Sequence, residues 1–134
     1  MLNNDTKQDL IRKATEAQKF SYSPYSNYAV GAALLTSSGQ TFSGTNIENS
    51  VYPLSLCAER TAVFKAVSEG EKEFEAIAVV TRDGGTPCGS CRQVLAEFGL
   101  DILVLIADEQ GNLKQELKVK ELLPYNFGPA NLNT

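Results

Sequence analysis

The chain predicts an α/β fold, a three-layer αβα arrangement around a mixed five-stranded sheet. Three observations point there. Apolar residues recur at helical spacing in some segments and in short alternating or continuous runs in others; the two kinds of segment alternate along the chain; and residues 102–107 form an apolar run of strand length. Such a run suits an interior strand covered on both faces. The length of 134 residues fits one domain, residues 1–134, that buries a core without disulfides.

Taken in order, Leu10, Ile11, Ala14, Ala17 and Phe20 stand at helical spacing behind Thr6 and Asp9, which are placed as in a capping box. Residues 6–19 therefore read as an amphipathic helix, ended by Ser23, Pro24 and Ser26. Residues 28–36 and 41–46, joined by the turn Ser37, Ser38, Gly39, Gln40, read as a two-stranded hairpin. Residues 47–55 look irregular. From Leu56 the pattern turns helical through Ala58, Ala62, Val63 and Ala66, and Gly70 stops it. Residues 74–81 read as a buried strand, and the loop Asp83, Gly84, Gly85, Thr86, Pro87 leads to a helix marked by Val94, Leu95 and Phe98 and closed by Gly99. After the strand at 102–107, a turn at Gln110, Gly111 and Asn112 precedes a short strand and a small helix, 119–123, stopped by Pro124.

Composition removes whole classes of function. With 12 basic and 16 acidic residues and a net charge of −4, the chain lacks the cationic surplus that phosphate neutralisation needs, so nucleic acid is not an expected partner. No apolar run is long enough to span a bilayer, and the first residues lack the basic and apolar regions of a signal peptide. No membrane association and a cytoplasmic location are expected. There is no histidine, which rules out Ser-His-Asp and Cys-His hydrolases, His-ligated zinc and His proton shuttles. Acid–base chemistry must fall to carboxylates, Lys, Tyr or Cys.

Three cysteines make an odd number for a disulfide framework and move thiolate chemistry or metal binding forward. Cys57 and Cys88 fall where helices are expected to begin, and Cys91 lies one turn beyond Cys88 on the same side of its helix. A helix N-terminus favours thiolate, the metal-binding form. Three thiolates fill three corners of a tetrahedral zinc site, and an open fourth position marks catalytic zinc, whose bound water has a pKa of about 7. Such a water needs a base. Glu59 stands two residues after Cys57; mid-helix this spacing would turn it about 200° away, but in a first turn both side chains can lean over the helix end into one pocket. Alternatives stay open on the residues alone. Cys88-Gly89-Ser90-Cys91 also fits a thioredoxin-type redox pair, and the cysteines also fit a structural zinc site. Taken singly, Glu59 and Arg60 read as a cap and a solvated charge, and Asn46 and Glu48 as turn residues. Phe20, Tyr22, Tyr25 and Tyr28 read as core and interface packing.

Cys57-Ala58-Glu59-Arg60, followed by Pro87-Cys88-Gly89-Ser90-Cys91-Arg92-Gln93, resembles the zinc-dependent cytidine deaminases, specifically their small homotetrameric class with three cysteine ligands. The likeness extends through Ser23-Pro24-Tyr25-Ser26, Val30-Gly31-Ala32-Ala33, Asn46-Ile47-Glu48-Asn49 and Leu122-Leu123-Pro124. The resemblance implies the cytidine deaminase fold, one Zn2+ per chain and hydrolytic deamination of cytidine and 2'-deoxycytidine in pyrimidine salvage. It further implies zinc ligands Cys57, Cys88 and Cys91, with Glu59 as the proton shuttle. Asn46 and Glu48 match the pair that holds the ribose 3'-hydroxyl. Tyr28 stands where the family usually has Phe beside the pyrimidine, and Ala58 matches a backbone contact to the base. Arg60 matches a donor to ligand thiolates, here expected to reach Cys57 and Cys88 from a buried position. Phe127 matches an aromatic that reaches a neighbouring subunit's site. A related deaminase of modified nucleosides or antibiotics is the rival within this resemblance.

Overall fold

The computed structural model describes residues 2–132. Helix α1 spans Asn4–Gln18. Its cap is Asn3, whose side chain accepts a hydrogen bond from the Thr6 N–H at 2.8 Å, and not the expected Thr6. Asn caps at least as well as Thr, and Asp9 is drawn instead to Arg12 and Lys13 on its own helix face. Leu10, Ile11 and Ala14 are buried, but the helix ends before Phe20, which is 80% exposed. Tyr22 and Tyr25 are exposed as well, so this aromatic run does not enter the core.

The sheet is built from β1 (Gly31–Thr36), β2 (Thr41–Thr45), β3 (Phe74–Thr81), β4 (Leu103–Asp108) and β5 (Leu113–Lys118). Their spatial order is β2-β1-β3-β4-β5. Only β3 and β4 run parallel; the other neighbours are antiparallel. A parallel pair needs a crossover, which α3 (Gly89–Phe98) supplies, while α2 (Ala58–Ser68) links the hairpin to β3. The small helix α4 is Val119–Leu122, and a further turn of helix, α5, covers Pro129–Leu132. A 3-10 turn at Tyr52–Leu54 lies within the stretch read as irregular. The strand expected from residue 28 begins at Gly31; before it, the Val30 N–H and the Tyr28 carbonyl oxygen are taken by the Asn46 side chain and the Ala29 carbonyl oxygen by Gln18.

Alternation along β3 divides the core into two layers. Ile77 and Val79 pack with Ala62, Val63, Leu95, Val104 and Ile106 on the side of α2 and α3. Ala76, Ala78 and Val80 pack with Leu10, Ile11 and Ala14 of α1 on the other. Both central strands are thus covered on both faces, as the apolar run of β4 requires. Two glycines allow the layers to close. A Cβ on Gly31 would lie 1.9 Å from the Ala14 carbonyl oxygen of α1, and one on Gly44 2.6 Å from the Ala62 nitrogen of α2. Helices α2 and α3 lie against each other on one face, so their N-termini come together near the carboxyl end of β3. In open α/β sheets this is the end where ligand sites form.

Candidate functional site

Cys57 and Cys88 are the N-cap residues of α2 and α3. Each has extended φ and ψ, and neither side chain caps its own helix. The first-turn N–H groups of both helices therefore leave a positive end facing the sulfurs. Cys91 sits one turn inside α3, and its side chain leans back toward the same end. The Sγ atoms of Cys57 and Cys88 lie 3.8 Å apart, those of Cys88 and Cys91 3.5 Å apart, and all three fall within 4.8 Å of one another. Thiolates bound tetrahedrally at about 2.3 Å would lie about 3.8 Å from each other. The donor set therefore fits zinc in both distance and chemistry.

The thiols share their protons unevenly. The Cys57 thiol is pulled down to about 5 by the neighbouring Cys91 thiol and by the Arg60 guanidinium. The Cys57 neighbour and burial push Cys91 upward. Arg60 Nη2 donates to Cys57 Sγ at 3.4 Å and to the Ser55 carbonyl oxygen at 3.2 Å. Arg60 departs from its expected contacts at Cys88. In the single chain the residue is half-buried, and its bonds among the described residues both run from Nη2, to Cys57 and to Ser55, with none to Cys88. Its Nε is buried with no partner among the described residues.

Glu59, in the first turn of α2, is only 4% exposed. Burial pushes its carboxyl up to about 7, and the nearby Cys57 charge adds to the rise. Cys57, Glu59 and Cys88 all line one cavity of about 490 Å3, a size suited to a small molecule. The first-turn position thus brings Cys57 and Glu59 to one pocket despite their spacing.

Asn46 and Glu48 line the same cavity, and each is held by the segment before β1. Asn46 Oδ1 accepts from Ser21 Oγ at 2.5 Å and from the Val30 N–H at 2.9 Å, while its Nδ2 donates to the Tyr28 carbonyl oxygen at 2.8 Å. Glu48 accepts from the Tyr25 and Ser26 N–H groups and from Ser26 Oγ. These bonds hold its carboxyl below the usual range, the Ser26 hydroxyl most of all. Tyr28 also lines the cavity, and its hydroxyl donates to Asp83 Oδ1 at 2.6 Å. Ala58 is fully buried. Neither Ala58 nor Phe127 is among the cavity-lining residues; Phe127 is 57% exposed, and its carbonyl oxygen accepts from Gln93 Nε2. Sequence reasoning gave no site role to Tyr52, Thr81, Gly85 and Thr86, which are also among the wall residues. The glycine pair Gly84-Gly85 signalled the loop, but nothing in the sequence pairs it with Tyr28.

Residues 4–107 match the family described as the cytidine and deoxycytidylate deaminase zinc-binding region. A cytidine deaminase of Halalkalibacterium halodurans is 48% identical over 130 residues, covering 95% of this chain and 98% of that protein. A cytidine deaminase of Sporosarcina psychrophila is 45% identical over 129 residues, covering 94% of each. Among solved structures, a cytidine deaminase from Burkholderia pseudomallei superposes with a TM-score of 0.85 at 43% identity, covering 94% of this chain and 100% of that one.

Proposed function

Because the chain belongs to the cytidine and deoxycytidylate deaminase family, we propose that it hydrolyses cytidine and 2'-deoxycytidine to uridine and 2'-deoxyuridine with release of ammonia, a pyrimidine-salvage reaction. The observation that carries this reading is a cluster of three sulfurs within 4.8 Å of one another, two of which line one cavity together with a buried carboxyl. One zinc per chain would be held by Cys57, Cys88 and Cys91, and when bound it supplies a Lewis acid that makes water nucleophilic at neutral pH. The reading takes the chain as one deaminase domain, residues 1–134.

Glu59 takes a proton from water as its oxygen adds to C4 of the pyrimidine. It gives that proton to N3, then takes the proton of the new C4 hydroxyl and passes it to the amino nitrogen as the C4–N bond breaks and the C4 carbonyl forms. One water is consumed and one ammonia released for each base, with Glu59 regenerated. A single carboxyl serving as base and then acid suits a group buried at the cavity wall, where bulk water does not compete for the proton. Ala58 lies in the first helical turn, whose N–H groups have no intrahelical acceptor, which supports its reading as a main-chain donor to the base. Asn46 keeps one amide hydrogen beyond the bond to Tyr28, and the Glu48 carboxylate retains acceptor capacity. Both therefore suit a sugar 3'-hydroxyl, and holding the sugar keeps C4 near the attacking water.

The homotetramer and the role of Phe127 belong to the same reading. Phe127 is exposed and does not line its own chain's cavity, which suits a side chain that completes a neighbouring copy's site. Three unpaired cysteines fit a reducing compartment, hence the cytoplasm. No helix among the described residues is long and apolar enough to cross a membrane. Family membership favours the deaminase over a Cys88-Cys91 redox pair. The test is to incubate the zinc-loaded chain with cytidine and quantify both products. Equimolar uridine and ammonia are expected; no conversion of cytidine would overturn the reading.

A further inference from the structure

Tyr28 is fixed at both ends by different parts of the chain. At its backbone, the N–H donates to Ser26 Oγ at 3.1 Å and the carbonyl oxygen accepts from Asn46 Nδ2 at 2.8 Å. At its tip, the hydroxyl donates to Asp83 Oδ1 at 2.6 Å. Asp83 belongs to the loop between β3 and Cys88, and Thr81 Oγ1 also donates to its Oδ1 at 3.3 Å. Thr81 Oγ1 in turn accepts from the Gly85 N–H at 2.8 Å. A Cβ on Gly85 would stand 2.6 Å from the Tyr28 hydroxyl, so the ring reaches the loop only because no side chain stands there. The Arg82 guanidinium lies 5.0 Å from the ring centroid. Tyr28, Thr81, Gly85 and Cys88 all line the cavity.

The aromatic ring therefore bridges two walls that must act together. One holds Asn46 and Glu48, and the other leads into Cys88. A tyrosine has one hydroxyl proton to give, and here Asp83 takes it. We propose that Asp83 is a positioning residue for the deamination reaction, acting through the Tyr28 hydroxyl to hold the ring as a fixed wall against the pyrimidine. The inference rests on the nucleoside reading above. Asp83 and Tyr28 then work as one unit that sets how well the base is bound, while the protons are moved elsewhere, by Glu59.

The test compares Tyr28→Phe, Asp83→Ala, the double variant and Asp83→Asn in the zinc-loaded protein, with KM and kcat for cytidine and the inhibition constant of uridine. Loss of one such hydrogen bond should raise KM and weaken uridine binding about three- to tenfold in Tyr28→Phe and in Asp83→Ala, with a much smaller change in kcat. The double variant should be no worse than either single one, because both remove the same bond. Asp83→Asn keeps a carbonyl acceptor and should recover most of the lost affinity. Unaltered KM and uridine binding in both single variants, additive losses in the double one, a fall confined to kcat, or no recovery in Asp83→Asn would overturn the proposal. Wild-type protein that leaves cytidine untouched would instead overturn the nucleoside reading itself.

Discussion

Cys57 Sγ and Cys88 Sγ lie 3.8 Å apart although 31 positions separate them in the chain. Two helices that begin side by side on one face of the sheet bring them together, each offering its N-cap residue. The positive ends of both helices then act on one cluster of sulfurs, and the effect of a helix dipole is confined to its terminal turn. The fold thus concentrates its fixed positive potential where three thiolates would otherwise repel.

Glu59→Gln should fold and retain zinc while losing most turnover. The amide is nearly the same size and can still hydrogen-bond, but it cannot accept and return a proton. The expected fall in kcat is at least about 10² to 10⁴-fold. Turnover measured beside metal content checks this; a fall below about tenfold would assign the proton transfers to another group.

The sugar assignment predicts a substrate pattern. Cytidine and 2'-deoxycytidine should be processed with similar efficiency, because Asn46 and Glu48 are assigned to the 3'-hydroxyl. A 3'-deoxy analogue leaves that pair without its partner, at about 1 to 3 kcal/mol for the buried Asn46 amide. Its kcat/KM should fall by about ten- to a hundredfold. Equal kcat/KM for the 3'-deoxy analogue would remove the assignment.

Arg60 touches a single sulfur, at 3.4 Å, yet it helps hold the Cys57 thiol low. Arg60→Ala should therefore bind zinc about 10 to 100-fold more weakly, the usual cost of losing a partner that supports a metal ligand. Competition with a chelator of known affinity reads this directly, and unchanged affinity would confine Arg60 to its bond with Ser55.

Asp108 links acid to stability at the carboxyl end of β4. Its carboxylate accepts from the Asn112 and Gln110 N–H groups, each at 3.0 Å, and from Asn112 Nδ2 at 3.1 Å, with Lys114 Nζ at 3.5 Å. The Asn112 N–H leads in holding its carboxyl below the ordinary 3.8. A depressed folded value means that the unfolded chain binds the proton first, so the contribution is fully present above about pH 4 and is lost as pH falls through the folded value. Asp108→Ala should lower Tm near pH 6, and its difference from the wild type should shrink below about pH 3. A Tm difference that stays constant across that range would contradict the linkage.

Legibility in the sequence followed the range of the interactions. The apolar run that became β4, the helix closed at Gly99 and the cysteines at two helix starts are local patterns, and each could be read from neighbours in the chain. The start of β1 was not legible, because Tyr28 and Val30 are held by Asn46, which lies 18 and 16 positions further on. The Tyr28–Asp83 bond spans 55 positions and leaves no periodic trace. The cap of α1 failed for a different reason: Asn3 and Thr6 are both capable caps, and only the structure shows which one the chain uses. The sulfur cluster was legible because the chain holds only three cysteines, two of them at helix starts. The cavity walls were not, because they are ordinary loop residues brought together by the sheet.

The most direct test is a zinc titration of chelator-stripped protein, with cytidine deamination followed by absorbance at each added equivalent. The three-sulfur site predicts no turnover without metal, a linear rise and a sharp plateau at one zinc per chain. Cys57→Ala, Cys88→Ala and Cys91→Ala should each remain near baseline at the same point. Full activity in the stripped protein, or a plateau at a different ratio that the cysteine variants reproduce, would contradict the account.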